Sequence, residues 1–246
     1  MDFDIGIATT MLELSRLAYR TESAATAGID ALALGDAAFF SGGGTQALAC
    51  GDDTRRFVAF RGTEEDPRDW ITDSRFGPRP GELGGSVHSG FHDALDLVWP
   101  DVTADIAGAA TRQVWVTGHS LGAALAVLAA ARMVEAGRKP AGVMTFGQPR
   151  TGKSDFRSAY DAELLEVTFR VVNHIDLVTR VPLLVQGYRH VGRMVYIDGD
   201  GRIHEDASPW HVARDDVRFR LTHFGRIESA GLGPHLIDAY RMRLAR

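Results

Sequence analysis

The sequence predicts an α/β protein whose central sheet is mostly parallel and covered by helices on both faces. Three observations predict it. Strand-like and helix-like runs alternate through the middle of the chain, and Val114-Trp115-Val116-Thr117 and Val143-Met144-Thr145-Phe146 are short and apolar, as buried parallel strands are. The stretch from Leu121 to Ala131 carries no charge at all, as a helix packed on all sides would. The chain has 246 residues, 45% of them hydrophobic, which is enough for one large core. A single domain over 1–246 is therefore expected, with no internal repeat, low-complexity tract or interdomain linker.

Taken in order, residues 3–20 read as a helix, because Ile7, Met11, Leu14 and Ala18 fall on one face. Residues 21–44 are small and Gly-rich and read as a loop with room for a helical turn. Thr45–Cys50 and Arg55–Phe60 form a hairpin around Gly51-Asp52-Asp53-Thr54, and the second strand runs into Arg61-Gly62-Thr63. A polar excursion follows at 64–70, then a short strand at Ile71–Phe76. Gly77–Ser86, with Pro78, Pro80 and several glycines, reads as a surface loop. A helix runs from about Phe91 to Ala110, bent or restarted at Pro100.

The helix after Ser120 ends before Gly137 and Pro140. Val143–Phe146 and Leu164–Val172 are the next strands. Tyr188–Asp198 and Arg202–His204 flank the turn sequence Asp198-Gly199-Asp200-Gly201. Residues 208–230 have no clear period, and His235–Leu244 reads as a helix with Leu236, Tyr240 and Leu244 on one side.

Composition excludes some functions. A net charge of −5 and a pI near 6.0 give no general affinity for nucleic acid or anionic membranes. Cys50 is the only cysteine, so neither an intrachain disulfide nor a cysteine metal cluster can form. The run Leu121–Ala131 is too short to span a bilayer. Met1-Asp2-Phe3-Asp4 is acidic where a signal peptide would be basic, so the chain is expected to be cytoplasmic by default, although a mature secreted form would look similar.

The chemistry centres on Gly118-His119-Ser120-Leu121-Gly122, a G-x-S-x-G sequence between the strand Val114–Thr117 and the helix that starts at Leu121. A sharp strand-to-helix turn lifts a serine hydroxyl out of the sheet, and the residues packed against it must be small. Gly118 and Gly122 meet that need, followed by Ala123 and Ala124. A serine nucleophile requires a base, an acid to orient the base, and donors for an oxyanion.

In α/β hydrolases these residues follow in the order serine, acid, histidine. Asp176 comes just past the strand ending at Val172, on the same edge of the sheet as Ser120; Asp161 and Asp198 are rivals. After Asp176 the histidines are His190, His204, His211, His223 and His235. Spacing favours His235, which opens the last helix after Gly231-Leu232-Gly233-Pro234, and leaves the others open. The backbone N–H of Leu121 is the expected first oxyanion donor, and the loop Phe60-Arg61-Gly62-Thr63 offers Thr63 as the second, with an ordinary Gly-Thr turn as the alternative. Asp73 is placed either to hold the Thr63 hydroxyl or to serve as a solvated turn residue, and His119 adjoins the candidate nucleophile. His174-x-Asp176 offers only two metal ligands without a third at good spacing, so neither a metal nor an organic cofactor is expected.

Assembled, the chain resembles the class 3, or fungal-type, lipases of the α/β-hydrolase superfamily. The resemblance covers most of the chain. It rests on Ser15-Arg16-Leu17-Ala18-Tyr19, Phe60-Arg61-Gly62-Thr63, Asp69-Trp70-Ile71-Thr72-Asp73, Val87-His88-Ser89-Gly90-Phe91, Gly118-His119-Ser120-Leu121-Gly122, Phe146-Gly147-Gln148-Pro149-Arg150 and Arg170-Val171-Val172-Asn173-His174-Ile175-Asp176. It extends to Gly233-Pro234-His235-Leu236-Ile237-Asp238-Ala239-Tyr240.

The resemblance implies an α/β-hydrolase fold and ester hydrolysis with Ser120 as nucleophile, Asp176 as orienting acid and His235 as base. It implies Thr63 and Leu121 as the oxyanion hole, and a lid at 64–70. Two departures are Ala123 where the family commonly has Gly, and Gly233-Pro234 where it often has an Asp beside the His. The implied lid is acidic, contains Pro67 and offers only Trp70 as a large apolar group, which favours small or monomeric acyl esters over a lipid surface. A phospholipase A1-type hydrolase on the same triad is the nearest alternative. A non-catalytic binding protein is a more distant one, since binding has no need of the complete set.

Overall fold

The computed structural model describes residues 1–62, 77–174, 176–222 and 235–244. The chain opens with helix α1 (Ile5–Leu17), capped by the Asp4 side chain, which accepts the Ile7 N–H at 2.8 Å. Ala8, Met11, Leu12 and Leu14 bury one face of α1 against the sheet. Helix α2 (Glu22–Ala31) and strands β1 (Gly35–Gly42), β2 (Thr45–Gly51) and β3 (Arg55–Phe60) follow. Next come β4 (Pro78–Pro80), β5 (Ser86–His88), α3 (Ser89–Asp96), α4 (Trp99–Gly108), β6 (Gln113–His119) and α5 (Leu121–Glu135). Then β7 (Gly142–Phe146), β8 (Gly152–Lys153), α6 (Ser154–Leu164), β9 (Thr168–Asn173), β10 (Tyr188–Arg189), β11 (Arg193–Ile197), β12 (Ile203–Glu205), α7 (Pro209–Thr222) and α8 (Ile237–Leu244) complete the described chain.

Eight strands form the main sheet in the order β1-β2-β3-β6-β7-β9-β11-β12. The middle of it, β3-β6-β7-β9-β11, is parallel, and β1, β2 and β12 add antiparallel edges. One core lies between the sheet and α3, α4, α5 and α6, and the other between the sheet and α1, α2 and α8. Helix α5 carries Ala124, Leu125, Val127, Leu128, Ala129 and Ala130 fully buried, and each large side chain there contributes about 1.5–3 kcal/mol. Because β3, β6, β7 and β9 run the same way, Phe60, His119, Phe146 and Asn173 lie at one edge of the sheet. That edge is where loops build a site in such folds.

Three expectations need correction. Residues 21–44 are not a loop but hold α2 and β1. Helix α2 buries only Ala25 and Ile29, and β1 is an edge strand with no buried alternation, so neither leaves a strong periodic signal. Gly77–Ser86 contains β4, which pairs with β5 at the edge of a small sheet, β10-β8-β5-β4. Its prolines are tolerated because an edge strand can leave one side unpaired. The segment before residue 164 is helix α6, so the following strand starts at Thr168 rather than Leu164. Residues 209–222 form α7. The restart at Pro100 is found as expected: α3 ends at Asp96, and Pro100 lies in the first turn of α4. The strand expected at Ile71–Phe76 lies outside the described residues.

Candidate active site

Strand β6 ends at His119, and the next residue, Ser120, takes φ 59° and ψ −127° before α5 begins. A non-glycine residue at positive φ is strained by about 1–3 kcal/mol and persists only where its surroundings fix it. Two glycines do the fixing. A Cβ on Gly118 would lie 2.2 Å from the Gly122 carbonyl oxygen, and one on Gly122 would lie 2.1 Å from the Phe60 carbonyl oxygen. Turn, helix and β3 therefore close on each other through backbone alone. The Ser120 N–H donates to the Phe146 carbonyl at 3.0 Å, which ties the serine to β7.

Asp176 follows the end of β9 and is fully buried. Its Oδ1 and Oδ2 lie 3.1 and 2.9 Å from His235 Nδ1. The Tyr240 hydroxyl donates to Oδ2 at 2.6 Å, and the Val178 N–H donates to Oδ1 at 2.9 Å. Burial, the largest influence, pushes the carboxyl up, but the facing His235 and the Tyr240 hydroxyl hold it below the ordinary value. Tyr240 is positioned in turn by the Asn173 N–H, which it accepts at 3.1 Å. Burial and the Asp176 charge drive the Tyr240 pKa well above its ordinary value, so it remains a donor.

Facing a carboxylate, His235 Nδ1 carries the proton, which leaves Nε2 as the acceptor. Both His235 Nε2 and Ser120 Oγ are buried without a hydrogen-bond partner among the described residues. Gly147, at φ 60°, keeps the space beside them open. A Cβ there would meet Asp176 Oδ2 and the His235 ring at 2.9 Å.

Beneath the serine lies a second layer. His119 Nε2 donates to the His235 carbonyl at 2.6 Å, and its Nδ1 accepts from the Tyr19 hydroxyl at 3.1 Å. The two imidazoles stack with centroids 4.7 Å apart. Burial, followed by the His235 charge, lowers the His119 pKa from 6.5 to about 3, so the ring is neutral. The unfolded chain protonates this histidine below about pH 6.5, while the folded chain resists down to about 3. Stability is intact above that window and falls through it by about 1.4 kcal/mol per pH unit. The expected result is a melting temperature that declines from pH 6.5 downward more steeply in the wild type than in His119→Gln. Parallel slopes in the two proteins would remove His119 as the cause.

The structure thus brings together Ser120, His119, Leu121, Asp176 and His235. Leu121 is the first residue of α5, where the amide has no intrahelical acceptor. Thr63, Trp70 and Asp73 lie outside the described residues. The rival groups are engaged elsewhere. Asp161 accepts the Gly192 N–H at 2.8 Å, and Asp198 pairs with His204 at 2.8 Å. His190 bonds the Thr179 carbonyl, and His211 packs on the His204 ring. His223 is outside the described residues. His174 and Asp176 have separate partners, Asp215 and His235, so they do not act as a pair.

Two residues at the site had no assigned role in the sequence reading, Gly147 and Tyr240. A glycine closing a strand beside Ser120, and a tyrosine one turn into the helix after His235, are the signals each leaves.

Comparison with known proteins agrees with this architecture. The profile of the family described as Lipase (class 3) matches residues 57–186. Secreted mono- and diacylglycerol lipase 1 of Fusarium solani is 37% identical over 138 residues, covering 54% of this chain and 41% of that protein. Phospholipase A(1) DAD1, chloroplastic, of Arabidopsis thaliana is 33% identical over 151 residues, covering 52% of this chain and 34% of that protein. The match thus spans less than half the length of either relative. The structure of Rhizomucor miehei triacylglyceride lipase superposes with a TM-score of 0.71 at 25% identity, covering 82% of this chain and 83% of that one.

Proposed function

The chain belongs to the class 3 lipase family and has its α/β-hydrolase fold, and on that premise we propose that it is a serine carboxylic-ester hydrolase. The observation that carries the proposal is the strained Ser120 turn beside a buried His235–Asp176 pair whose free Nε2 is set to accept a proton. In the proposed reaction Ser120 Oγ attacks the ester carbonyl while His235 Nε2 takes its proton. Asp176 fixes the imidazole tautomer and stabilises the imidazolium. The Leu121 N–H, with Thr63, holds the developing oxyanion. The alcohol leaves with the proton from His235, and water repeats the sequence to release the acid.

A fluorophosphonate probe tests this directly. It should form one adduct, at Ser120, on the native protein, and folded protein that gives no adduct there would reject the reading.

The substrate class is an acyl ester of a lipid or small alcohol, as the family membership and the mono- and diacylglycerol lipase relative suggest. The Arabidopsis relative keeps phospholipase A1 activity as the second reading, and parallel assays on a diacylglycerol and a phosphatidylcholine would separate the two. Residues 64–70 are the proposed lid. They carry four acidic residues and a single large apolar one, Trp70, so attraction to a lipid surface is weak. Rate should therefore rise smoothly as a short-chain ester passes its solubility limit, and a sharp jump at that limit would contradict the esterase-like reading. Secretion is suggested by the names of relatives rather than by this chain, and those names lend no support to a cytoplasmic location. Among the described residues no helix is long and apolar enough to cross a membrane.

A further inference from the structure

Between β9 and helix α7 lies a cavity of about 630 Å³. Five arginines line it: Arg150, Arg157, Arg170, Arg180 and Arg189. That concentration stands out in a chain whose net charge is −5. None of Ser120, Asp176 and His235 borders the cavity.

Its floor is the critical part. Arg170, on β9, is 8% exposed, and its Nε has no hydrogen-bond partner among the described residues. No carboxylate forms an ion pair with it among those residues; Asp161 acts on it only through space, and instead bonds Arg157 at 3.3 Å. Burial and the neighbouring Arg150 charge pull the Arg170 pKa down to about 10. Arg150 gives its donors to the carbonyls of Arg180 and Pro182, and Arg189 gives one to the Leu184 carbonyl at 3.0 Å. Neither of those contacts neutralises charge. His190 registers the same field: burial, then Arg170 and Arg150, hold its pKa well below the ordinary value. Asp215, on the same helix as the lining residues Val212 and Ala213, does not border the cavity and is engaged by His174 and Tyr196 at 2.6 Å each.

A buried guanidinium without an anion is costly, and convergent arginines match the oxygens of phosphate bidentately. We propose that this cavity binds a phosphate group, with Arg170 at its floor and Arg189 at its mouth. The mouth also suggests where the phosphate comes from. Leu184 lines the cavity, and Leu183, Leu184 and Val185 are 52%, 53% and 91% exposed around it. An exposed apolar turn beside a cationic pocket fits the headgroup of an anionic phospholipid, although free phosphate shares the chemistry.

The test uses the full chain carrying Ser120→Ala, so that lipid is not consumed and the result does not depend on the hydrolase reading. Inorganic phosphate is titrated calorimetrically, and vesicles of phosphatidylcholine with and without phosphatidic acid are used in co-sedimentation. Saturable binding of phosphate, or retention on phosphatidic acid vesicles alone, is expected. Either should weaken by about tenfold in Arg189→Gln and more in Arg170→Met, since each charged donor to a phosphate carries about that factor.

Arg170→Met has a second readout. Without phosphate it should melt no lower than its parent, because it removes an unanswered buried charge, and phosphate should stabilise the parent but not the variant. Retention on phosphatidic acid vesicles without phosphate binding assigns a lipid headgroup, and the reverse assigns a soluble ion. Binding in neither arm, or equal binding in both variants and the parent, would overturn the proposal.

Discussion

Ser120→Ala should lower kcat for ester hydrolysis by about 10⁵–10⁶-fold while the melting temperature stays within a degree or two of the wild type. The size follows from what the hydroxyl does. In the proposed reaction every covalent step begins at Ser120 Oγ, and among the described residues no side chain at that turn offers a substitute nucleophile. The stability expectation follows from the surroundings. Ser120 Oγ bonds no described residue, so its loss leaves no orphaned partner. Alanine also keeps the Cβ, so the strained φ of 59° is neither relieved nor worsened. Initial rates on a chromogenic short-chain ester, beside a thermal melt, check both halves. Residual turnover above about one part in 10³ in folded protein would mean that another group initiates the chemistry. His235→Ala should fall to a similar level, because the two residues act as one unit.

Asp176→Asn should cost about 10⁴-fold in kcat with little change in fold. The carboxylate accepts from His235 Nδ1, from the Tyr240 hydroxyl and from the Val178 N–H. An amide of the same shape has one oxygen to offer these three donors, and its NH₂ faces at least one of them. The histidine then gains by turning its proton to Nε2, the wrong nitrogen for accepting from serine. Tyr240→Phe removes a single donor and leaves the His235–Asp176 bond in place, so its effect should be far smaller, about tenfold. Kinetics of the two variants over pH 6–9 decide the matter. Equal losses would mean that Tyr240, rather than the carboxylate charge, governs the imidazole.

The sequence carried most of this arrangement because most of it depends on backbone. The elbow is legible in Gly118 and Gly122, since no other residue fits beside the carbonyls of Gly122 and Phe60. The parallel sheet is legible in short apolar runs, because strands such as β6, β7 and β9 are buried on both faces and need no alternation. Asp176 is legible from its place after a strand. Spacing favours His235 only mildly and the family resemblance carries it further, while its bond to Asp176 depends on a docking of α8 that no local pattern encodes.

Elements with little buried surface stayed hidden. Helix α2 buries two side chains, and β1 buries none. Helix α7 left no clear period over 209–222, and Trp210 and Val217 on it are 85% and 56% exposed. Nor could sequence show that Arg150, Arg170 and Arg189 converge, since they come from three segments that meet only in the folded chain.

The bond from the Ser120 amide to the Phe146 carbonyl bears on how the proposed site assembles. It makes Ser120 a rung of the sheet, in place as soon as β6 and β7 pair. His235 is different: it is held through Asp176, Tyr240 and His119, partners 59 and 116 residues away in the first and last cases. Contacts of such separation form late, because long loops must close first. A refolding population would therefore regain strand pairing, and with it a well-formed elbow, before it regains catalysis. If the proposed triad holds, turnover in this protein would report the docking of the helix after His235, with Ser120 already in place.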